Sequence, residues 1–349
     1  MRLPLKSPIV ASWLFVVAAL IVMIVMVGGA TRLTGSGLSI TEWKPVHGVI
    51  PPIGLEQWTE EFTKYKQIPQ FSQVNAHMTL SEFKGIYWWE WAHRLLGRII
   101  GLVIILPFVL FLFLKEVPQR LIWRCGVIML LVAAQGAVGW WMVYSGLSAR
   151  VDVAPERLMS HLGLALLLLV FCLWTGLEAL AGQSRGRGAG LNWKLPAFLL
   201  MGLVFVQALL GALVAGNDAG LVYNDWPLMN GRFAPYVDYS KGLWQVAFHD
   251  QGMVQFVHRL TAYGLLVFVT LFAIMVARKC LDGRIKWLAV GLAVLGWAQA
   301  SLGVATLVTN VHIHVGLAHQ LGAVIVLIVA TLLAWHIARA DRVFRLRSF

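Results

Sequence analysis

Residues 157–180 read RLMSHLGLALLLLVFCLWTGLEAL. Only Arg157 and Glu178, near its ends, carry full charges, and the run exceeds the roughly 20 residues that cross a bilayer as a helix. One histidine, His161, lies inside its first turns. Seven further runs of this kind surround it, at roughly 9–30, 86–114, 121–145, 194–216, 252–277, 285–308 and 314–338. The 349-residue chain as a whole agrees: 59% of it is apolar, 13% is charged and the mean hydropathy is +0.75. A soluble domain carries about a quarter charged residues. A soluble enzyme, a disordered chain and a nucleic-acid binder are therefore excluded together. The first run follows Arg2 and Lys6 but is too long for a signal-peptide core of about 7–15 residues. The sequence predicts an all-α polytopic membrane protein with eight transmembrane helices.

The net charge of +12 lies mostly at the ends of the apolar runs. Sixteen Lys and Arg fall at the N-terminus (Arg2, Lys6), in the loops after the second, fourth and sixth runs (Arg185 and Arg187 among them) and at the C-terminus (Arg342, Arg345, Arg347). Nine fall on the opposite side, offset by carboxylates. This bias predicts both termini in the cytoplasm and two long outer loops, 31–85 and 217–251. Trp88, Trp89, Trp140 and Trp141 then mark the outer boundary, and Trp123, Trp193, Trp287 and Trp335 the inner one. Within the first outer loop, Leu55, Trp58, Phe62 and Tyr65 recur at helical spacing among charged residues. That pattern fits a helix lying on the membrane surface and equally one packed on the protein. Cys125, Cys172 and Cys280 form no CxxC motif, so neither a disulfide framework nor a thiolate metal site is expected.

The chain repeats itself. Gly35-Ser-Gly-Leu38 matches Asp218-Ala-Gly-Leu221, and Glu90-Trp-Ala-His-Arg94 matches Gln255-Phe-Val-His-Arg259. Gln135-Gly-Ala-Val-Gly139 matches Gln299-Ala-Ser-Leu-Gly303, and His161-Leu-Gly matches His319-Gln-Leu-Gly322. Each half holds four runs in the same order. Two pseudo-symmetric four-helix bundles are expected, one over 1–180 and one over 195–349, with 181–194 as a cytoplasmic linker.

Ionisable groups inside a membrane are costly and mark function. His47, His77, His249, His312 and His336 fall in loops or at helix ends. His93, His161, His258 and His319 each fall about five to seven positions past the start of an even-numbered run, about 7–11 Å inside the outer boundary. A lone intramembrane histidine usually hydrogen-bonds a neighbouring helix. Four matched in depth and by symmetry suit two axial pairs. Two imidazoles leave a tetrahedral zinc site short of ligands, whereas haem iron takes two axial ligands. Gly97, Gly101, Gly163 and Gly322 would let a flat ring approach the backbone. Arg94 and Arg259 suit haem propionates or outer headgroups. His314 competes with His319, because His314-Val-Gly-Leu-Ala318 also resembles His161-Leu-Gly-Leu-Ala165; His319 is preferred because His314 lies at the helix mouth. The repeat breaks at Glu90, whose counterpart Gln255 cannot exchange a proton. Chemistry is therefore expected in the N-terminal bundle, against the plainer reading that Glu90 only pairs with an arginine.

Three stretches, Gly28-Gly-Ala-Thr-Arg-Leu-Thr-Gly-Ser-Gly-Leu-Ser39, Met78-Thr-Leu-Ser-Glu-Phe-Lys84 and Glu90-Trp-Ala-His-Arg94 with Gly97-Arg98, resemble the haem A synthases. Ala215-Gly-Asn-Asp-Ala-Gly220 and His319-Gln320 extend the likeness along the chain. The resemblance implies oxidation of a methyl group of haem O, through alcohol and geminal diol, to the formyl group of haem A for terminal oxidase assembly. It implies His93 and His161 as ligands of the substrate haem O, His258 and His319 as ligands of a haem b cofactor, and Glu90 as the catalytic glutamate. A haem O synthase and an electron acceptor would be partners, and an oligomer is left open. The outer loops lack the cysteine pairs of the Gram-positive branch, so the chain is similar to the proteobacterial and mitochondrial branch. With no presequence before Arg2, a bacterial inner membrane is expected.

Two rival classes share some of these features. A bis-histidine two-haem electron carrier moving charge across the membrane would stagger its haems between leaflets. A transporter with parallel repeats would explain the bundles but not the paired histidines.

Overall fold

The computed structural model describes residues 5–44, 47–182 and 193–340. Arg2, Arg185, Arg187, Arg342, Arg345, Arg347 and most of the expected linker lie outside the described residues. Among the described residues the structure is helical, with no strand beyond an isolated bridge between Met229 and Arg232. Eight helices are long and apolar enough to cross a membrane. These are α1 (Pro8–Leu33), α4 (Leu80–Phe113), α5 (Ile122–Tyr144), α6 (Pro155–Ala181), α7 (Lys194–Gly216), α9 (Gln251–Lys279), α10 (Gly283–Val308) and α11 (Ile313–Arg339). Short helices α2 (Gly54–Tyr65), α3 (Pro69–Gln73) and α8 (Leu243–His249) lie in the two long loops.

Local chemistry sets the helix starts. Ser7 caps α1 ahead of Pro8, and Asp250 and Asp282 cap α9 and α10 by accepting from backbone N–H groups of the first turn. α4 starts at Leu80 rather than near residue 86. Glu82 and Lys84 interrupt the apolar run, but Thr79 and Glu82 form a reciprocal capping box that begins the helix two turns earlier. At 34 residues α4 is about 50 Å long, so its first turns project beyond a roughly 30 Å hydrocarbon core.

α1, α4, α5 and α6 close into one ring, and α7, α9, α10 and α11 into another. α6 against α7, and α11 against α1 and α6, join the two rings, so α1, α6 and α11 are the most enclosed spans. At one end of the molecule Glu178 accepts from Arg120, Arg339 and Trp335, tying α6 to α11 and to the start of α5. Ser7 donates its N–H to Ala179 O at the same end. Trp193 and Trp335 are consequently buried, Trp193 edge-on to Phe272, instead of joining an inner aromatic belt. Trp123 and Trp287 remain exposed.

At the opposite end, α2 packs on the protein. Trp58, Phe62 and Tyr65 are buried against Phe83 and Tyr87 of α4, while Leu55 is exposed. Burial of three aromatics outweighs what one exposed leucine could gain from a lipid surface. α2 and α3 thus pack at the end of the N-terminal ring where α4 begins.

Candidate functional site

α4 and α6 bring His93 and His161 together edge to face, with ring centroids 6.5 Å apart and planes 62° apart. In the other ring α9 and α11 make His258 and His319 electrostatic neighbours. His314 points instead to His312, 5.4 Å between rings. The structure therefore places His319, not His314, in the position equivalent to His161.

Each of the four rings lies over a glycine of the adjacent helix. A Cβ at Gly28, Gly139 or Gly303 would stand 2.9 Å from Cε1 of His93, His161 or His319, and one at Gly211 would stand 3.2 Å from Cε1 of His258. The glycines expected to admit a flat macrocycle are others, and they have these neighbours. Gly97 faces Ile24, Gly101 faces nothing within 4 Å, Gly163 faces Leu209 and Gly322 faces Gln299.

Sequence reasoning also passed over three glutamines. Gln135, Gln207 and Gln299 precede Gly139, Gly211 and Gly303 by one helical turn, and each side-chain amide contacts the ring of the histidine over that glycine. The signal was present as a recurring Gln-x3-Gly in three odd-numbered spans.

Glu90 is buried, and all its acceptor capacity is used. Oε1 accepts from Arg94 Nη2 at 2.6 Å and Nε at 3.0 Å, and Oε2 from Ser39 Oγ at 2.7 Å and Ile40 N at 2.8 Å. Arg94 also donates to the carbonyls of Ile40 and Glu42. The equivalent Gln255 is equally buried, but its amide donates to the carbonyls of Ala219 and Tyr223. Arg259 donates to Gln255 Oε1 and to the carbonyls of Leu228 and Tyr223. Both arginines therefore hold the loop after the first span of their half. Of five guanidinium N–H groups, Arg94 has one left and Arg259 two for any further acceptor.

Among the described residues, no cluster of three or more His, Cys, Asp or Glu could hold a bare metal ion. What the structure offers is two partly buried imidazole pairs, each walled by glycine, and a carboxylate beside only one of them.

These features define a class: an all-α multi-pass membrane protein with one intramembrane histidine pair in each of two related four-helix rings. The chain belongs to the cytochrome oxidase assembly protein family, whose profile matches residues 11–331. It is similar to the heme A synthase of Caulobacter sp. (strain K31), with 55% identity over 335 residues, 96% of this chain and 97% of the relative. The heme A synthase of Caulobacter vibrioides is 53% identical over the same shares. That of Parvibaculum lavamentivorans is 47% identical over 95% of this chain and 94% of its own.

Proposed function

We propose that this chain is a haem A synthase, oxidising a methyl substituent of haem O to the formyl group of haem A. The observation that carries the reading is the His93–His161 pair. A metal–imidazole bond is about 2 Å and the ring centre lies about 1 Å behind its nitrogen, so two imidazoles that held one iron between them would have ring centres about 6 Å apart. The separation of 6.5 Å supports that use. The donor set supports it too: two imidazoles per ring, with glycine where a Cβ would press on the imidazole.

In this reading His93 and His161 hold haem O in the N-terminal bundle, and His258 and His319 hold haem b in the C-terminal one. Haem b when bound supplies one-electron redox chemistry. The remaining steps belong to the chain's own residues. The histidines fix the plane of the substrate. Glu90 supplies the negative charge and the proton acceptor that Gln255 lacks. To accept a proton it must release a donor, and Ser39 is the cheapest to release because a hydroxyl can turn from donor to acceptor. Proton acceptance therefore falls at Oε2. Arg94 holds Oε1, and its remaining N–H, like the two on Arg259, is available to a propionate. The charge bias supports cytoplasmic termini, and the likeness to bacterial heme A synthases supports a bacterial inner membrane, with a haem O synthase delivering substrate and a separate acceptor taking the electrons.

The test is haem extraction and chromatography from membranes holding the protein and supplied with haem O. Haem A should appear. A two-haem electron carrier would return only haem b.

A further inference from the structure

The two rings are not closed alike. In the C-terminal ring α9 and α10 pack along their length, as closely as the other neighbouring pairs. Val269 Cγ1 and Leu266 Cδ2 of α9 stand 3.5 and 3.7 Å from where a Cβ would sit on Gly296 of α10, so the side chains of one helix fill the join against the backbone of the other. Beside them Trp297 Nε1 of α10 donates to Thr270 Oγ1 of α9 at 3.1 Å, and its exposed indole covers the join from outside.

In the N-terminal ring the equivalent pair, α4 and α5, meets only briefly, although the other three seams of that ring are closed. In the register that pairs His93 with His258, Gly101 stands for Leu266 and Ile105 for Thr270. In the register that pairs Gln135 with Gln299, Val132 stands for Gly296 and Ala133 for Trp297. The leucine that fills the join, the glycine that receives it and both ends of the hydrogen bond are thus replaced together. A Cβ at Gly101 would meet nothing within 4 Å. α4 is tied the other way. Pro107 cannot donate to the carbonyl of Val103; Trp13 Nε1 of α1 takes that carbonyl at 2.7 Å and packs its ring on Phe108 and Phe111. The counterpart of Pro107 is Phe272, which keeps its N–H. What remains is an apolar slot with Gly101 and Ile105 on one wall and Val132 and Ala133 on the other. It is continuous with the histidine pair. Gly101 lies about 12 Å along α4 from His93, and Ala133 lies two residues before Gln135, whose amide touches His161.

Resting on the haem A synthase reading, we propose that this slot takes the isoprenoid chain of haem O and selects haem O over haem b. The two haems differ in one substituent: haem O carries a long apolar hydroxyalkyl chain where haem b carries a vinyl group. A site for haem O therefore needs one apolar outlet more than a site for haem b. The N-terminal ring has that outlet, and the C-terminal ring has it filled. The chain leaves the macrocycle on the edge away from the propionates. With the propionates toward Arg94, it runs along α4 away from the helix start, the direction in which Gly101 lies from His93. Gly101 and Ala133 are specificity-determining residues, and Leu266 with Trp297 excludes such a chain from the C-terminal site.

The experiment uses the full-length protein, purified in detergent from cells that make no haem O and titrated optically with haem O or with haem b. The wild type should bind haem O at the N-terminal site more tightly than haem b. Gly101→Leu with Val132→Gly rebuilds the Leu266–Gly296 join. It should weaken haem O binding about 10–100-fold, the scale of forcing extra bulk into a filled space, and leave haem b binding at that site unchanged. A variant that keeps the wild-type preference would overturn the inference, as would a wild type that does not distinguish the two haems. Should the variant fail to fold, Leu266→Gly with Trp297→Ala decides from the other side. In a His93→Ala background, with haem O in excess, it should let the C-terminal site retain haem O, and continued retention of haem b alone would overturn the inference equally. His93→Ala by itself tests the reading underneath. If it loses haem O binding while the Gly101 variant keeps the wild-type preference, only the slot is wrong; if it keeps haem O binding, the ligand assignment itself is wrong.

Discussion

Glu90→Gln makes the N-terminal motif read like its C-terminal counterpart with almost no change of volume, yet the surroundings of the two side chains have opposite polarity. Gln255 meets two carbonyls, whereas Glu90 meets a hydroxyl and a backbone N–H. An amide at residue 90 must turn its NH2 toward either the Arg94 guanidinium or Ile40 N–H. Keeping the oxygen on Arg94 is cheaper, and it strands the Ile40 donor. A buried unpaired donor costs about 1–3 kcal/mol, and turning charge-assisted bonds to Arg94 into neutral ones costs about 1 kcal/mol more. The variant should therefore lose about 2–4 kcal/mol of stability in detergent and show faster hydrogen exchange across 38–44. Ser39→Ala, which removes one donor and keeps the carboxylate, should cost about 1 kcal/mol. Removal of a positioned proton acceptor should also cut turnover about 10²–10⁴-fold. The measurements are haem A formed per folded protein, haem content and unfolding midpoint, side by side. Near-normal haem A formation would refute the catalytic role, and unchanged stability would refute the polarity argument.

His258→Ala or His319→Ala should strip haem b, whereas His93→Ala or His161→Ala should spare it and abolish turnover; haem content and haem A yield of purified protein separate the two. Gly303→Ala should displace His319 and lower haem b occupancy more than Gly211→Ala displaces His258, because the added Cβ stands at 2.9 rather than 3.2 Å, with Gly101→Ala as the neutral control. Glu178→Ala removes the carboxylate that Arg120 and Arg339 share, leaves each its main-chain carbonyl contact there, and should cost about 1–3 kcal/mol after discounting the partial exposure of Arg120, read from thermal unfolding in detergent. Lys44 and then Lys64 hold the Glu42 carboxyl below the usual carboxylate range, and Lys64 does the same to Glu60. A lowered carboxylate contributes stability that is present above its unfolded value and lost as pH falls through the folded one. The hold of α2 on the loop at Glu42 should therefore be constant between pH 6 and 8 and loosen below about pH 4; hydrogen exchange across 54–66 that quickens between pH 8 and 6 would contradict this.

The spans were legible because a bilayer demands a long apolar run, a constraint local to each segment. The start of α4 was misjudged for the same reason: Glu82 and Lys84 end the apolar run, although Thr79 and Glu82 spell a capping box in plain sequence. The histidine pairs were legible because the repeat displays them twice. What the sequence hid lies between segments. Ser39 and Ile40 reach Glu90 across 51 and 50 residues, and nothing in the spacing of either motif announces that meeting. Gly28, Gly139, Gly211 and Gly303 wall the imidazoles from neighbouring helices, a relation that the spacing along the histidine-bearing helices does not carry.

Beside the histidine pairs, the difference between the two halves falls on polar groups rather than on the frame. Gly35 and Asp218 occupy equivalent left-handed positions, at φ +64° and +50°. Glycine adopts that conformation freely, and aspartate is among the few other residues that tolerate it. Asp218 uses its carboxylate to bind Arg32 at 2.7 Å, joining the C-terminal half to α1 of the other. Glu90 stands against Gln255, and Ile24 against Gln207, in the same way. A helix frame built for burial tolerates such exchanges as long as each buried donor keeps an acceptor. The loops around residues 40 and 220 present opposite polarities to match. Where the C-terminal half has the amide of Gln255 beside Arg259, the N-terminal half has a carboxylate beside Arg94, while the paired histidines stand at equivalent positions in both. The two sites therefore share a histidine pair walled by glycine and differ in whether a carboxylate, able to take up a proton, stands beside it.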